Sequence, residues 1–331
     1  MTTINKPFEL MEIINNFRLS RVILTAYELE LFTAIGNDWM SAKEISLKIK
    51  TDERATDRLM NVLVGCGLLE KKDGKFKNSE ISLKLLVKSS PAYMGGLGHI
   101  AHLWHSWTTM TDAVRKGATV EMHDPLNDRS NEWIEPFIAA MHQRARQQAP
   151  EIAEQLDFTN VNKVLDVGGG SGAFSFAMID KKPSLKAIVY DLPNVLPETK
   201  KYIDKEGFSG KVETMAGDYL KDPLGSGYDM TFLSAVIHSN SPNECKLLFK
   251  KCAKAMNPGG QLVVLDNIMS DDRTKPIGGA LFALNMLVGT EAGDTYTESE
   301  IISWMKEAGF KNFEMKDTDF GQGIIIGKLN Q

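Results

Sequence analysis

The 331-residue chain is sparing with cysteine and proline, and it has no apolar run of membrane-spanning length. Cys66, Cys245 and Cys252 form no C-x-x-C pair, which excludes a disulfide framework and an ordinary zinc site; reduced, buried thiols are expected. A spanning helix needs about 20 consecutive apolar residues, so no membrane partner is expected. The opening MTTINKPFELMEIINNF is broken by Asn5, Lys6, Glu9 and Glu12, unlike a secretory signal, and a cytoplasmic location is expected. Basic excess is missing too: 38 Lys and Arg stand against 43 Asp and Glu, a net charge of -5 that opposes general affinity for nucleic acid. What remains is 43% hydrophobic and 24% charged residues, the make-up of a globular protein, over a length that suits two domains.

From Pro7 to about Val87 the pattern is helical. LTAYELELFTAI sets Leu24, Leu29, Leu31, Phe32 and Ile35 mostly on one side of a helix, and the stripe of Leu24, Leu31 and Phe32 needs cover, which predicts a homodimer. Ser41 followed by Glu44 is a capping-box signature, Thr51 opens the next helix, and EKKDGKFKNS reads as a tight hairpin around Asp73 and Gly74. Helices followed by a hairpin predict a winged-helix domain over residues 1–90. Such a domain either binds DNA or packs and dimerises; Asp52, Glu53 and Asp57 crowd its recognition helix and repel phosphate, so dimerisation is the reading. Residues 91–160 read as a helical linker that helps to wall a ligand pocket. Within it His99, His102 and His105 recur every third residue, but nothing completes a metal site, so core-lining or pocket-lining histidines and no metal are expected.

After Asn162 the rhythm becomes strand, glycine turn, helix: KVLDV, GGGSG, then AFSFAMIDKKP closed by Pro183. This predicts a doubly wound, Rossmann-like α/β domain over residues 161–331. Gly168, Gly170 and Gly172 let the backbone turn tightly and approach a ligand where a Cβ would intrude. With Ala173 they also satisfy G-x-G-x-x-A, so the turn alone does not separate a nicotinamide dinucleotide from S-adenosylmethionine. KAIVYD ends in Asp191, whose carboxylate can accept both ribose hydroxyls of either cofactor. KVETMAGD delivers Asp218, placed to accept from an adenine amino group, and two acids on successive strand ends favour S-adenosylmethionine. YDMTFLSAV carries Ser234 and runs into His238, and the turn NPGG precedes QLVVLD, which ends at Asp266.

Taken in order, VLDVGGGSGAF, VYDLP, AGDY, the histidine after the fourth strand and NPGGQLVVLD resemble the small-molecule O-methyltransferases that include plant caffeate-type enzymes, acetylserotonin methyltransferase and bacterial antibiotic-pathway enzymes. The resemblance spans nearly the whole chain. It implies S-adenosylmethionine on the Gly168 to Gly172 loop, Asp191 on the ribose, Leu192, Asp218 and Tyr219 around the adenine, and Ser234 among the cofactor contacts. It also implies methyl transfer to a hydroxyl with His238 as base, and Asp266 can hold one imidazole nitrogen so that the other accepts the proton. Three departures stand out. His-Asp-Trp becomes His238, Ser239, Asn240; the plant catalytic glutamate becomes Asp266; and a second glutamate is replaced by Thr295, with Asp294 and Glu291 as candidate stand-ins. Phe282, Asn285 and Met286, with Trp104, Met141 and His142, are expected to wall an aromatic or polyketide-like acceptor. C-methylation or another use of the cofactor, and a winged-helix regulator, are the competing readings.

Overall fold

The computed structural model describes residues 4–120 and 131–330. The chain divides into two units, Met1–His102 and Leu103–Gln331.

In the first unit α1 (Pro7–Asn15), α2 (Phe17–Glu28) and α3 (Leu31–Ile35) lead to β1 (Met40–Ser41), α4 (Ala42–Ile49) and α5 (Glu53–Gly65). The hairpin of β2 (Leu69–Lys72) and β3 (Lys75–Asn78) and the short α6 (Glu80–Leu85) follow. The strands form an antiparallel sheet in the order β1-β3-β2, the wing beside its helices. Local chemistry accounts for the boundaries. The Glu44 carboxylate accepts the Ser41 N–H at 2.7 Å while Ser41 Oγ accepts the Glu44 N–H at 3.3 Å, closing the capping box of α4. Asp73 and Gly74 both take positive φ, as a two-residue hairpin of this twist requires.

Several expectations need correction here. The cap of α5 is Asp52, which accepts the Ala55 N–H at 2.8 Å, so the helix starts beyond Thr51. LTAYELELFTAI is two helices, because Glu30 sits at φ 53 and breaks the run after α2. The apolar residues of that stretch turn inward: Leu24, Leu31 and Phe32 are 4%, 0% and 1% exposed within a single chain, so they do not need a second copy as cover. Leu31 and Phe32 pack with Met60, Leu63 and Phe76 in the core of this unit. Exposed apolar side chains gather instead on α1, as Phe8, Leu10, Met11, Ile13 and Ile14, with Phe17 at the start of α2, while others such as Leu47 and Ile81 are scattered over the unit. His102 and His105 are exposed rather than core-lining or pocket-lining.

The division falls within α7 (Leu97–Thr108). The second unit continues with α8 (Met110–Lys116), α9 (Asn131–Gln155), β4 (Lys163–Val167), α10 (Ala173–Lys181), β5 (Lys186–Asp191) and α11 (Leu196–Lys205). Next come β6 (Val212–Ala216), β7 (Tyr228–Ser234), a 3₁₀ turn at Ile237–Ser239, α12 (Pro242–Ala255) and β8 (Met256–Asp266). The chain closes with β9 (Ile268–Met269), α13 (Ile277–Gly289), β10 (Tyr296–Thr297), α14 (Glu298–Glu307), β11 (Phe310–Asp317) and β12 (Gly323–Leu329).

Seven strands form one sheet in the order β11-β12-β8-β7-β4-β5-β6. Strands β4 to β8 are parallel and β12 lies antiparallel to β8. Both faces are buried, so the strands read as continuous apolar runs: Leu165, Leu233 and Val264 enter one core with α12 and α14, and Val164, Phe232 and Val263 enter the other with α10. The strand order reverses between β4 and β7, and open sheets of this kind bind ligands at the carboxyl ends of the strands beside that switch. Among the described residues no helix is long and apolar enough to cross a membrane.

Candidate active site

The loop after β4 is shaped by its glycines. Gly168, Gly170 and Gly172 all take positive φ, and a Cβ on Gly168 would stand 2.8 Å from Val236 Cγ2 beyond β7, so no other residue fits without displacing that neighbour. Asp191, at the tip of β5, holds the loop in place. Its Oδ2 accepts the Gly170 N–H at 2.8 Å and its Oδ1 accepts the Leu192 N–H at 2.7 Å. Each carboxylate oxygen keeps a second acceptor position, which suits it to ligand hydroxyls. Burial pushes the Asp191 carboxyl up to about 6 against these two hydrogen bonds.

Sequence reasoning missed the layer beneath. Asp166 in β4 is buried, accepts the Ser175 hydroxyl at 2.7 Å, and is pushed up to about 7 by burial, with Ser175 opposing and Asp191 adding to the rise. A Cβ on Gly169 would meet its carboxylate at 2.7 Å, so Asp166 supports the loop from below. Thr199 Oγ1 donates to the Gly170 carbonyl at 2.6 Å. Asp166 and Gly169 were readable as a motif, but the supporting role depends on packing between β4 and α10.

Beyond β6, Asp218 accepts the Leu220 N–H at 2.9 Å and pairs with Lys221 at 2.9 Å. A hollow of about 300 Å³ is lined by Pro193, Asn194, Asp218, Lys221 and Asp222, beside the strand ends that the cofactor reading uses. A larger open hollow of about 560 Å³, between Met269 to Asp271 and Glu298 to Lys306, contains none of the candidate residues. The Tyr219 phenol is pushed up to about 12 by burial and receives Asn240 Nδ2 at 3.1 Å. Asn240 also donates to the Val236 carbonyl at 2.8 Å, tying this wall to the turn that carries His238. Ser234 ends β7, half-buried beside that turn.

His238 lies on the 3₁₀ turn after β7, and Asp266 ends β8, its neighbour in the sheet. The adjacency of the two strands brings the side chains together: His238 Nδ1 is 2.7 Å from Asp266 Oδ1, which also accepts the Asn267 N–H at 2.8 Å. Both residues are buried, at 8% and 1% exposure. The Phe282 ring meets the imidazole edge-on at 4.7 Å. The His238 carbonyl accepts the Asp294 N–H at 3.0 Å, and a Cβ on Gly293 would collide with it, so the segment before β10 closes over the backbone of this turn.

Neither candidate stand-in for the second glutamate faces the imidazole. The Asp294 carboxylate pairs with Arg273 at 3.2 Å, and Glu291 is exposed. Thr295 is buried, with its hydroxyl 3.4 Å from the Gly279 carbonyl. The expected acceptor wall is only partly assembled by direct contacts. Asn285 Oδ1 accepts the Trp107 indole N–H at 2.8 Å, Trp104 and Met141 are half-buried, and Met286 is buried within α13. His142 belongs to the other side: its Nδ1 is 2.9 Å from Ser171 Oγ in the glycine loop, and its ring stacks on Tyr202 at 4.0 Å. Burial lowers this imidazole to about 4, with Glu206 opposing, so it is neutral at pH 7. Among the described residues no cluster of His, Cys, Asp or Glu is placed to hold a metal.

A glycine cradle at the first strand, a carboxylate at the tip of the second, an acid and an aromatic after the third, and a sheet with this strand order define the class of Rossmann-like, nucleoside-cofactor methyltransferases. The O-methyltransferase domain family matches residues 107–311, the O-methyltransferase dimerisation domain family matches residues 11–88, and the chain belongs to the S-adenosylmethionine-dependent O-methyltransferases of small molecules. It is 30% identical to the 3-hydroxy-5-methyl-1-naphthoate 3-O-methyltransferase of Streptomyces sahachiroi, over 97% of this chain and 95% of that one. It is 26% identical to the tetracenomycin polyketide synthesis 8-O-methyl transferase TcmO of Streptomyces glaucescens, over 99% and 98% of the two chains. Human N-acetylserotonin methyltransferase, solved with S-adenosylmethionine, shares the fold at a TM-score of 0.85 with 24% identity, covering all of both chains.

Proposed function

We propose that this O-methyltransferase methylates a hydroxyl on an aromatic ring, with His238 as general base and Asp266 as its orienting partner. The buried His238–Asp266 pair carries the reading. With Nδ1–H donated to the carboxylate, Nε2 bears the lone pair and takes the acceptor's proton. Asp266 then stabilises the imidazolium that forms, and the Phe282 edge limits how the ring can turn. The loop from Gly168 to Gly172, with Asp191, Leu192, Asp218, Tyr219 and Ser234, fits an adenosyl cofactor: the cradle excludes Cβ atoms and the Asp191 oxygens retain acceptor capacity toward ribose hydroxyls. The bound cofactor supplies an electrophilic methyl on a sulfonium. Holding the acceptor oxygen in line with that methyl lowers the barrier most, and the base adds about 10²–10⁴-fold.

An aromatic acceptor suits the half-buried Phe282, Trp104 and Met141 and the Asn285 amide, and two of the relatives act by name on a hydroxynaphthoate and on a polyketide. The test is a panel of phenols and naphthols with methyl-labelled S-adenosylmethionine, followed by His238→Ala on the best acceptor. We expect kcat to fall by about 10²–10⁴-fold while calorimetric affinity for S-adenosylhomocysteine stays within about twofold of wild type. An O-methyl product formed by His238→Ala at near wild-type rate would remove His238 from the base role.

A further inference from the structure

Arg144 stands out among the side chains not yet used. It is half-buried on α9, and among the described residues its guanidinium makes no hydrogen bond or ion pair. A planar fork of five donors is rarely taken out of water without an anion to meet it.

The direction of the side chain follows from the helix and the sheet. Ile138 reaches to 3.7 Å of where a Cβ on Gly170 would stand, and His142 contacts Ser171 and stacks on Tyr202 in α11, the helix after β5. The flank of α9 that bears His142 is therefore the β5 side of the glycine loop. Two residues further along an α-helix the side chain has turned by about 200°. Arg144 accordingly projects from the opposite flank, and in this sheet β7 and β8 lie on the opposite side of β4 from β5. The first of these leads into the turn that bears His238, and the second ends in Asp266. The electrostatics agree: burial pulls the Arg144 guanidinium down, and the Asp266 carboxylate is the charge that pushes it back up.

We propose that Arg144 is the specificity-determining cation of the acceptor site, and that the acceptor is a hydroxyaryl carboxylic acid whose carboxylate it takes while the hydroxyl meets His238. The proposal rests on the aromatic-acceptor reading and narrows it to an anionic substrate. A bidentate carboxylate satisfies the guanidinium, completes the burial of both partners, and fixes the ring in the plane of the fork. It also offsets the positive charge that accumulates when His238 takes the proton.

The test compares 3-hydroxy-1-naphthoate, its methyl ester and 2-naphthol, which share a ring and a hydroxyl and differ in the carboxylate. Each is run with labelled S-adenosylmethionine on wild type, Arg144→Gln and Arg144→Lys, with S-adenosylhomocysteine affinity measured alongside. We expect kcat/KM for the acid to exceed that for the ester and the naphthol by at least about tenfold in wild type. Arg144→Gln should erase that preference, Arg144→Lys should restore part of it, and cofactor affinity should stay within about twofold throughout. Equal kcat/KM for all three in wild type overturns the proposal without any variant, and leaves the aromatic-hydroxyl reading standing. A loss of S-adenosylhomocysteine affinity in Arg144→Gln with the acid preference intact also overturns it, since the guanidinium then serves the cofactor. No methyl transfer to any of the three by wild type that still binds S-adenosylhomocysteine overturns the aromatic-hydroxyl reading and this proposal together.

Discussion

Asp191 holds the glycine loop through one buried carboxyl, the group proposed above to take the ribose hydroxyls. Its folded value near 6 stands above the ordinary 3.8, so the fold by itself favours the protonated acid: that contribution to stability is full below about pH 4 and is lost as pH rises through 6. Ligand hydroxyls reverse the preference, because they need an ionised acceptor. Binding of S-adenosylhomocysteine should therefore weaken by up to about tenfold per unit below pH 6, and near pH 6 it should release a proton. Calorimetry in buffers of different ionisation heat reads both effects, and Asp191→Asn should bind more weakly at every pH with a flatter profile. An affinity that is level from pH 5 to 7 in wild type would detach Asp191 from the ribose. At this scale the sequence was informative where a residue closes a strand, as Asp191 and Asp266 do, or sits on the turn just after one, as His238 does. Arg144 and Asp166 escaped notice because an arginine inside a polar helix and an aspartate inside an apolar strand acquire meaning only from what packs around them.

The glycine turn is an element whose sequence pattern and geometry coincide, because its requirements are local. A Cβ on Gly168 faces both an unfavourable φ of 67 and Val236 at 2.8 Å, whereas Gly65, at the end of α5, has no neighbour within 4 Å of that position and no positive φ. Gly168→Ala should destabilise the protein by about 1–3 kcal/mol and weaken S-adenosylhomocysteine binding, while Gly65→Ala should be neutral or stabilising by up to about 1 kcal/mol. Urea unfolding of the two variants checks this, and a neutral Gly168→Ala would show that the loop tolerates a side chain. Other boundaries had no such local cause. The break at Glu30 places a non-glycine residue in the left-handed region, which no pattern of apolar spacing signals. The antiparallel pairing of β12 with β8 is set between segments some sixty residues apart, and the turning of Asp294 toward Arg273 spans twenty-one.

At the scale of the whole molecule the question is how many chains make the protein. The stripe first considered for an interface is consumed by the first unit's own core, yet the need for cover returns on α1, where Phe8 is 63% exposed and Met11 and Ile14 are 53% and 52% exposed. Large apolar side chains gathered on one short helix are a poor fit to water, and the dimerisation domain family matched at residues 11–88 takes in Met11 and Ile14. A homodimer with two-fold symmetry is the simplest assembly that covers such a surface, each copy presenting the same helix. Sedimentation velocity at micromolar concentration should give twice the mass of one chain. Met11→Glu combined with Ile14→Glu should raise the dissociation constant by about 100-fold or more, because each carboxylate would have to be buried unpaired. Neither side chain is buried within the single chain, so circular dichroism and the melting of the isolated fold at low concentration should be preserved. A wild type that sediments as a monomer would leave these side chains without a partner copy, and a double variant that remains fully dimeric would move the interface away from α1.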